Sequence, residues 1–152
     1  MQKGLKIGDK APDFSVVDEN GNLHELKKYN GKKIVLFFYP KANTPGCTAE
    51  ACDLSNNFEK FTSLNYVLLG VSADNIKNQK KFSDKFSFPF PLLADENKEI
   101  IQAYGVKSNM LGLIPGRVTY IVDKEGVVQM IFEDMNATNH LDRTVEKVKS
   151  LI

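Results

Sequence analysis

Residues 34–39, IVLFFY, are apolar at every position, and β-branched and aromatic side chains dominate the run. That is the pattern of a strand buried on both faces, as at the centre of a parallel sheet. Pro40 ends it, because proline cannot donate to a strand ladder. From Pro45 to about residue 61 the period changes. Cys47, Ala51, Leu54, Phe58 and Phe61 recur at spacings of 4, 3, 4 and 3, which is one stripe of an α-helix. Residues 66–72, YVLLGVS, form a second apolar run. Strand, helix and strand of these lengths predict a right-handed βαβ unit.

The flanking pattern fills in the remainder. Residues 1–12 are polar and read as an extended lead-in. Residues 14–17 and 23–26 flank the turn cluster Asp18-Glu19-Asn20-Gly21-Asn22, which predicts an N-terminal β-hairpin. Residues 27–33 are a polar connection. Asp74 is the expected cap of a helix to about Phe86, with Phe82 and Phe86 inward. Residues 88–91, FPFP, punctuate, and 92–94 read as a short edge strand. Asp95 is the expected cap of a short helix to Tyr104, where Gly105 suits a left-handed C-terminal position. Residues 107–116 read as a loop. Residues 117–122 and 127–132 form an antiparallel pair around Asp123-Lys124-Glu125-Gly126. A last helix, about 138–151, carries Leu141, Val145, Val148 and Ile152 on one face. The order βαβ, helical excursion, ββ, α is an α/β, thioredoxin-like arrangement. It implies a central mixed β-sheet flanked by helices, with an added N-terminal β-hairpin.

Composition narrows the function without deciding it. The 152 residues suggest one domain, 1–152. Twenty Lys plus Arg against nineteen Asp plus Glu give a net charge of +1, which favours neither nucleic acid nor an anionic membrane. Lys77, Lys80, Lys81 and Lys85 read as one solvated helix face. No apolar run approaches the roughly 18 residues of a membrane span. No signal-peptide pattern is present, so the cytoplasm is the expected location. An organellar protein without its transit peptide would read the same way. The glycosylation pattern at Asn136-Ala137-Thr138 is then read as chance. No phosphate-binding glycine motif occurs. A zinc site from Cys47, Cys52, His24 and His140 lacks ligand spacing, and both histidines are expected at the surface or as caps. No cofactor or metal is expected.

Two cysteines are too few for a disulfide framework. Thr44 is a good N-cap, Pro45 suits the first helical position, and Cys47 falls two residues later. A cysteine there takes the place that an anion usually holds, near free backbone amides and the positive end of the helix dipole. Thiols so placed are the reactive ones, although a small buried apolar residue opening the stripe would fit the same position. Cys52 lies five residues on and points about 140° away, with Cα atoms roughly 8–9 Å apart in an intact helix. A disulfide needs about 7 Å or less, so bonding these sulfurs would require the first turns to unwind.

The chain resembles the peroxiredoxins, and among them the bacterioferritin-comigratory-protein/peroxiredoxin Q subfamily. The likeness rests on Tyr39-Pro40, Thr44-Pro45-Gly46-Cys47-Thr48, Glu50, Cys52 and a late Arg117. GDKAPDF at 8–14, VVDENGN at 16–22, PFPLLAD at 89–95, AYGV at 103–106, PGRVTYIVDKEGVV at 115–128 and His140 support it. The resemblance implies that Cys47 is the peroxidatic cysteine. It implies that Pro40, Thr44 and Arg117 complete the peroxide site and that Cys52 is the resolving cysteine. Glu50 matches a recurrent acidic position. The implied activity is reduction of hydrogen peroxide and organic hydroperoxides through a sulfenic acid on Cys47. Cys52 would resolve that acid as a disulfide, and thioredoxin or a similar dithiol would reduce it. The subfamily implies a monomer or weak dimer. The alternative is a redox-sensing or protein-binding module in which the disulfide is a switch without turnover.

Overall fold

The structure, a computed structural model, describes residues 5–42, 44–106, 108–109, 114–115, 117–134 and 138–150. In chain order, Ser15–Val17 (β1) and Leu23–Glu25 (β2) form the N-terminal hairpin. A short 3-10 helix, Leu26–Tyr29, leads to Lys33–Phe38 (β3). Pro45–Asn56 (α1) and Phe58–Thr62 (α2) follow, then Tyr66–Ser72 (β4) and Ile76–Phe86 (α3). Leu92–Ala94 (β5), Glu99–Ala103 (α4), Ser108–Asn109 (β6) and Ile114–Pro115 (β7) come next. The chain ends with Val118–Val122 (β8), Val128–Glu133 (β9) and Thr138–Ser150 (α5).

The central sheet has the order β5-β4-β3-β8-β9. The first three strands are parallel, β8 is antiparallel to β3, and β9 is antiparallel to β8. The apolar run of β3 is continuous because each face meets a separate core. Ile34, Leu36 and Phe38 pack with Ile100, Tyr104 and Tyr120. Val35, Phe37 and Tyr39 pack with Leu54, Phe61, Phe82 and Val148, and Cys47 belongs to this second core. Gly70 on β4 lets the layers close. A Cβ there would meet Phe37 Cζ at 2.8 Å and Leu92 Cδ2 at 2.9 Å.

Both sheet edges are partly covered. The lead-in pairs with the far edge through Gly8 N–H to Val128 O and Ala11 N–H to Gly126 O, 2.8 Å each. The hairpin reaches β5 through a bridge between Asp18 and Leu93. Covered edges resist pairing with other chains.

Several local expectations are corrected. The helix expected over 45–61 breaks at Asn57 (φ −112°, ψ 14°), whose side-chain amide donates to Asp53 O at 2.8 Å. Ser55, Asn56 and Asn57 are residues whose side chains compete for backbone partners, so the break has a local cause. Asn75, not Asp74, caps α3, its Oδ1 accepting from Asn78 N–H. Asp95 serves α4 from farther out, accepting from Glu99 N–H and Ile101 N–H. Gly105 takes the expected left-handed conformation at φ 69°. The polar connection hides Tyr29, which meets a buried His24. Within the loop expected over 107–116, β6 pairs antiparallel with β7. The other residues of that loop lie outside the described ones, as do 136–137 of the glycosylation pattern.

Candidate active site

The site forms at one end of the sheet. The register sets Phe38, the last residue of β3, opposite Val118, the first of β8. Pro40 and Arg117 therefore leave the sheet at the same end. The C-terminal end of β4 arrives there too, because Tyr39 N–H donates to Val71 O at 3.0 Å. Beyond β3 the backbone is held by Asp74. Its Oδ2 accepts from Ala42 N–H at 2.7 Å and from the Ser72 hydroxyl at 2.7 Å. The Tyr39 hydroxyl donates to Gln79 Oε1, whose amide donates to Leu93 O at 2.8 Å. These bonds fix the chain on both sides of Pro40, which is itself half-buried.

Thr44 occupies the N-cap position of α1 with extended backbone (φ −94°, ψ 157°). Its carbonyl accepts from Thr48 N–H at 2.8 Å. Its hydroxyl donates to Lys41 O at 2.8 Å, so no side-chain cap closes the helix start. The positive end of the helix dipole is left facing Cys47.

Cys47 is only 2% exposed. Arg117 Nη2 lies 3.4 Å from its Sγ. Arg117 Nη1 donates to Glu50 Oε1 at 2.7 Å, one helical turn from Cys47 on the same element. The guanidinium thus bridges a thiol and a carboxylate, a use of its planar fork that a lysine could not copy. Burial alone would make the arginine easier to deprotonate, but Glu50 and Cys47 hold it firmly charged. Burial lifts Glu50 to about 7, against the pull of Arg117. Cys52 is partly exposed, and both thiols are free, so α1 is in its intact, dithiol form. Burial and the neighbouring Asp53 push the Cys52 thiol up.

A buried thiol against an arginine at a helix start is an arrangement for attacking a polarised bond. The AhpC/TSA family matches residues 7–131. The chain is also 38% identical over 145 residues to chloroplastic peroxiredoxin Q of Sedum lineare, spanning 95% of this chain and 78% of the relative. The chain belongs to the AhpC/TSA family and is a peroxiredoxin.

Solved peroxiredoxins share its whole fold. Peroxidoxin BcpB of Mycobacterium tuberculosis matches with a TM-score of 0.90 and 30% identity, covering 97% of this chain and 99% of that one. The bacterioferritin comigratory protein of Xanthomonas campestris matches with a TM-score of 0.84 and 30% identity over 90% of each chain. As a peroxiredoxin the protein is a thiol-dependent peroxidase.

Of the five residues singled out from the sequence of this peroxiredoxin, Cys47 and Arg117 meet directly. Thr44 stands at the start of the same helix with its hydroxyl turned to Lys41 O, and Pro40 stands where the chain leaves β3. Cys52 lies farther along α1. Three other residues near the site had no role in it from the sequence. Asp74 anchors the chain after Pro40. Thr119 and His140 join in a 2.7 Å hydrogen bond, and His140 Nδ1 is also 3.4 Å from Glu50 Oε2. His140 is 1% exposed, contrary to the expected surface or capping role. His24 is buried as well, bonded to Asp18 Oδ2 at 2.7 Å. One signal was present: Thr119 is the polar residue inside the apolar run of β8.

Proposed function

We propose that Cys47 is the peroxidatic nucleophile of this peroxidase and Cys52 its resolving partner. The observation that carries this reading is the buried Cys47 Sγ, 3.4 Å from Arg117 Nη2 at the first turn of α1. The Cys47 thiolate attacks the distal oxygen of ROOH. The S–O bond forms as the O–O bond breaks, sulfur is oxidised to the sulfenic acid, and the leaving RO⁻ takes a proton to become ROH. Arg117 stabilises the thiolate and the charge that develops on the peroxide oxygens. The Thr44 hydroxyl turns from Lys41 O to the bound peroxide, and Pro40 shields the sulfur from water.

The Cys52 thiol then attacks the sulfenic sulfur, and water leaves as the disulfide forms. α1 must unwind for this step, and the break at Asn57 limits the change to a 12-residue helix. α2, anchored by the buried Phe61, need not move. An external dithiol of the thioredoxin type reduces the disulfide by exchange. Hydrogen peroxide and organic hydroperoxides are the substrates proposed. The Xanthomonas campestris relative is described with alkyl peroxide reduction activity, which supports the organic class. The protein acts as a monomer or weak dimer. The matched plant relatives are named as chloroplastic, which supports the organellar alternative to the expected cytoplasmic location. No helix among the described residues is long and apolar enough to cross a membrane.

A steady-state assay with thioredoxin, its reductase and hydrogen peroxide tests the reading. Turnover abolished by Cys47→Ser is the expected result. Turnover that survives in Cys47→Ser overturns the assignment.

A further inference from the structure

The far side of Glu50 carries chemistry that the peroxide reaction does not require. Glu50 is 1% exposed, and its Oε2 accepts no hydrogen bond from any described residue. His140 Nδ1 lies 3.4 Å from that oxygen. The tautomer of His140 follows from its other nitrogen. Nε2 is 2.6 Å from Asp134 O, a carbonyl that can only accept, so Nε2 carries a hydrogen. A neutral ring then presents a bare Nδ1, whose single lone pair accepts either the Thr119 hydroxyl at 2.7 Å or a hydrogen on Glu50 Oε2 at 3.4 Å.

With Glu50 ionised and His140 neutral, Oε2 would lie against a ring edge that offers it no hydrogen, in a site closed to water. Buried acceptors left so are costly. One proton between them removes the conflict, either as a carboxyl O–H directed at Nδ1 or as an imidazolium N–H directed at the carboxylate; in both, the Thr119 hydroxyl turns its hydrogen away from Nδ1.

We propose that His140 is a positioning residue of the peroxidase, sharing one proton with Glu50 and thereby setting how much of the Arg117 charge remains for Cys47. This rests on Cys47 being the reacting thiol. Burial, aided by Arg117, lowers the proton affinity of His140, whereas burial raises Glu50 to about 7. The shared proton therefore resides on the Glu50 side. Among the described residues, the charged and titratable groups around the pair include Cys47 and Asp53 on α1, Arg117 before β8 and Asp134 after β9. Arg143 on α5 faces the Phe132 ring, whose edge meets His140 at 4.8 Å between ring centres. Asp53 and Asp134 are the anions of this set, and among the described residues Arg117 is the cation in contact with Glu50.

The sign of the effect follows. Below pH 7 a neutral Glu50 leaves the guanidinium charge to the Cys47 thiolate. As pH rises through 7, Glu50 ionises and takes a share of that charge. In His140→Gln the amide donates to Oε2 without titrating, which favours the Glu50 carboxylate at lower pH. The Cys47 sulfur is then left with a smaller share of the Arg117 charge at pH values below 7.

The test is the pH profile of Cys47 alkylation by iodoacetamide, followed in a Cys52→Ser background. His140→Gln slows alkylation about three- to tenfold at pH 6, a shift of half to one pH unit, and leaves the rate at pH 8.5 unchanged. Adding Glu50→Gln removes the difference. A His140→Gln profile parallel to that of the background, or full additivity of the two changes, overturns the proposal. Nitrogen-15 NMR of the wild-type His140 ring gives a second readout that needs no variant. A neutral Nε2–H tautomer from pH 5.5 to 8 is expected, and a neutral Nδ1–H tautomer overturns the proposal. Peroxidase turnover that survives Cys47→Ser would instead defeat the assignment of the nucleophile, leaving the ring tautomer readable.

Discussion

Arg117 faces Cys47 with one amino group and gives the other to Glu50. Nη2 is 3.4 Å from Sγ, and Nη1 is 2.7 Å from Oε1. The thiol therefore feels a cation whose charge is shared once Glu50 is ionised. Glu50 fixes the plane of the guanidinium and takes part of its field, so aim and strength are set by the same residue.

Arg117→Lys keeps a positive charge but loses the fork. A single ammonium cannot hold the Glu50 carboxylate and face Cys47 together. The second-order rate of peroxide reduction should fall about 10²–10³-fold, as for loss of one oriented donor at a reacting centre. Stopped-flow kinetics at matched pH, with circular dichroism showing retained fold, checks this.

Glu50 links stability to pH. Its carboxyl titrates at 4.5 when unperturbed and about 7 in the folded chain, where burial outweighs the attraction of Arg117. Between these values the folded state holds a proton that the unfolded state has lost. Stability therefore falls as pH rises from 4.5 to 7 and levels off above 7, by a contribution on the order of 3 kcal/mol. Glu50→Gln lacks this slope. Urea denaturation of both proteins at pH 5 and pH 8 should show the variant gaining on the wild type at the higher pH.

Asp74→Ala removes the acceptor of the Ala42 N–H and the Ser72 hydroxyl. The expected loss is about 1–2 kcal/mol, since two polar groups near the site lose their partner. The chain after Pro40 also loses its anchor to β4. The first oxidation of Cys47 should slow, while the later disulfide step should not. Rapid-mixing kinetics followed by tyrosine fluorescence and timed thiol quenching separates the two steps.

The parts that were legible in the sequence are those set by local pattern. The run 34–39 announced a strand buried on both faces, and β3 is that strand. The stripe from Cys47 announced a helix on the sheet whose start at Pro45 fell as expected, whereas its run to Phe61 is broken at Asn57. The resemblance points to Cys47 and Arg117, which lie 3.4 Å apart in the fold. What escaped was long-range polar pairing. Asp74 looks like a helix cap because the next residue, Asn75, is an equally good one, and only the distant Ala42 N–H decides between them. His140 looks like a surface residue in a polar helix start. Its burial depends on Thr119, 21 residues away, and on Glu50 across the core. His24 is hidden in the same way by Asp18 and Tyr29. No periodicity encodes such contacts, because they arise only when the sheet register brings separate elements together.

The central claim is that peroxide oxidises Cys47 and that Cys52 captures the product within the same chain. Non-reducing peptide mapping by mass spectrometry, after one equivalent of hydrogen peroxide, tests it most directly. Wild-type protein should yield a monomeric chain with a Cys47–Cys52 disulfide, and Cys52→Ser should yield a dimedone-trapped sulfenic acid on Cys47. A disulfide found only between chains, or a sulfenic acid on Cys52 with Cys47 unmodified, would contradict it.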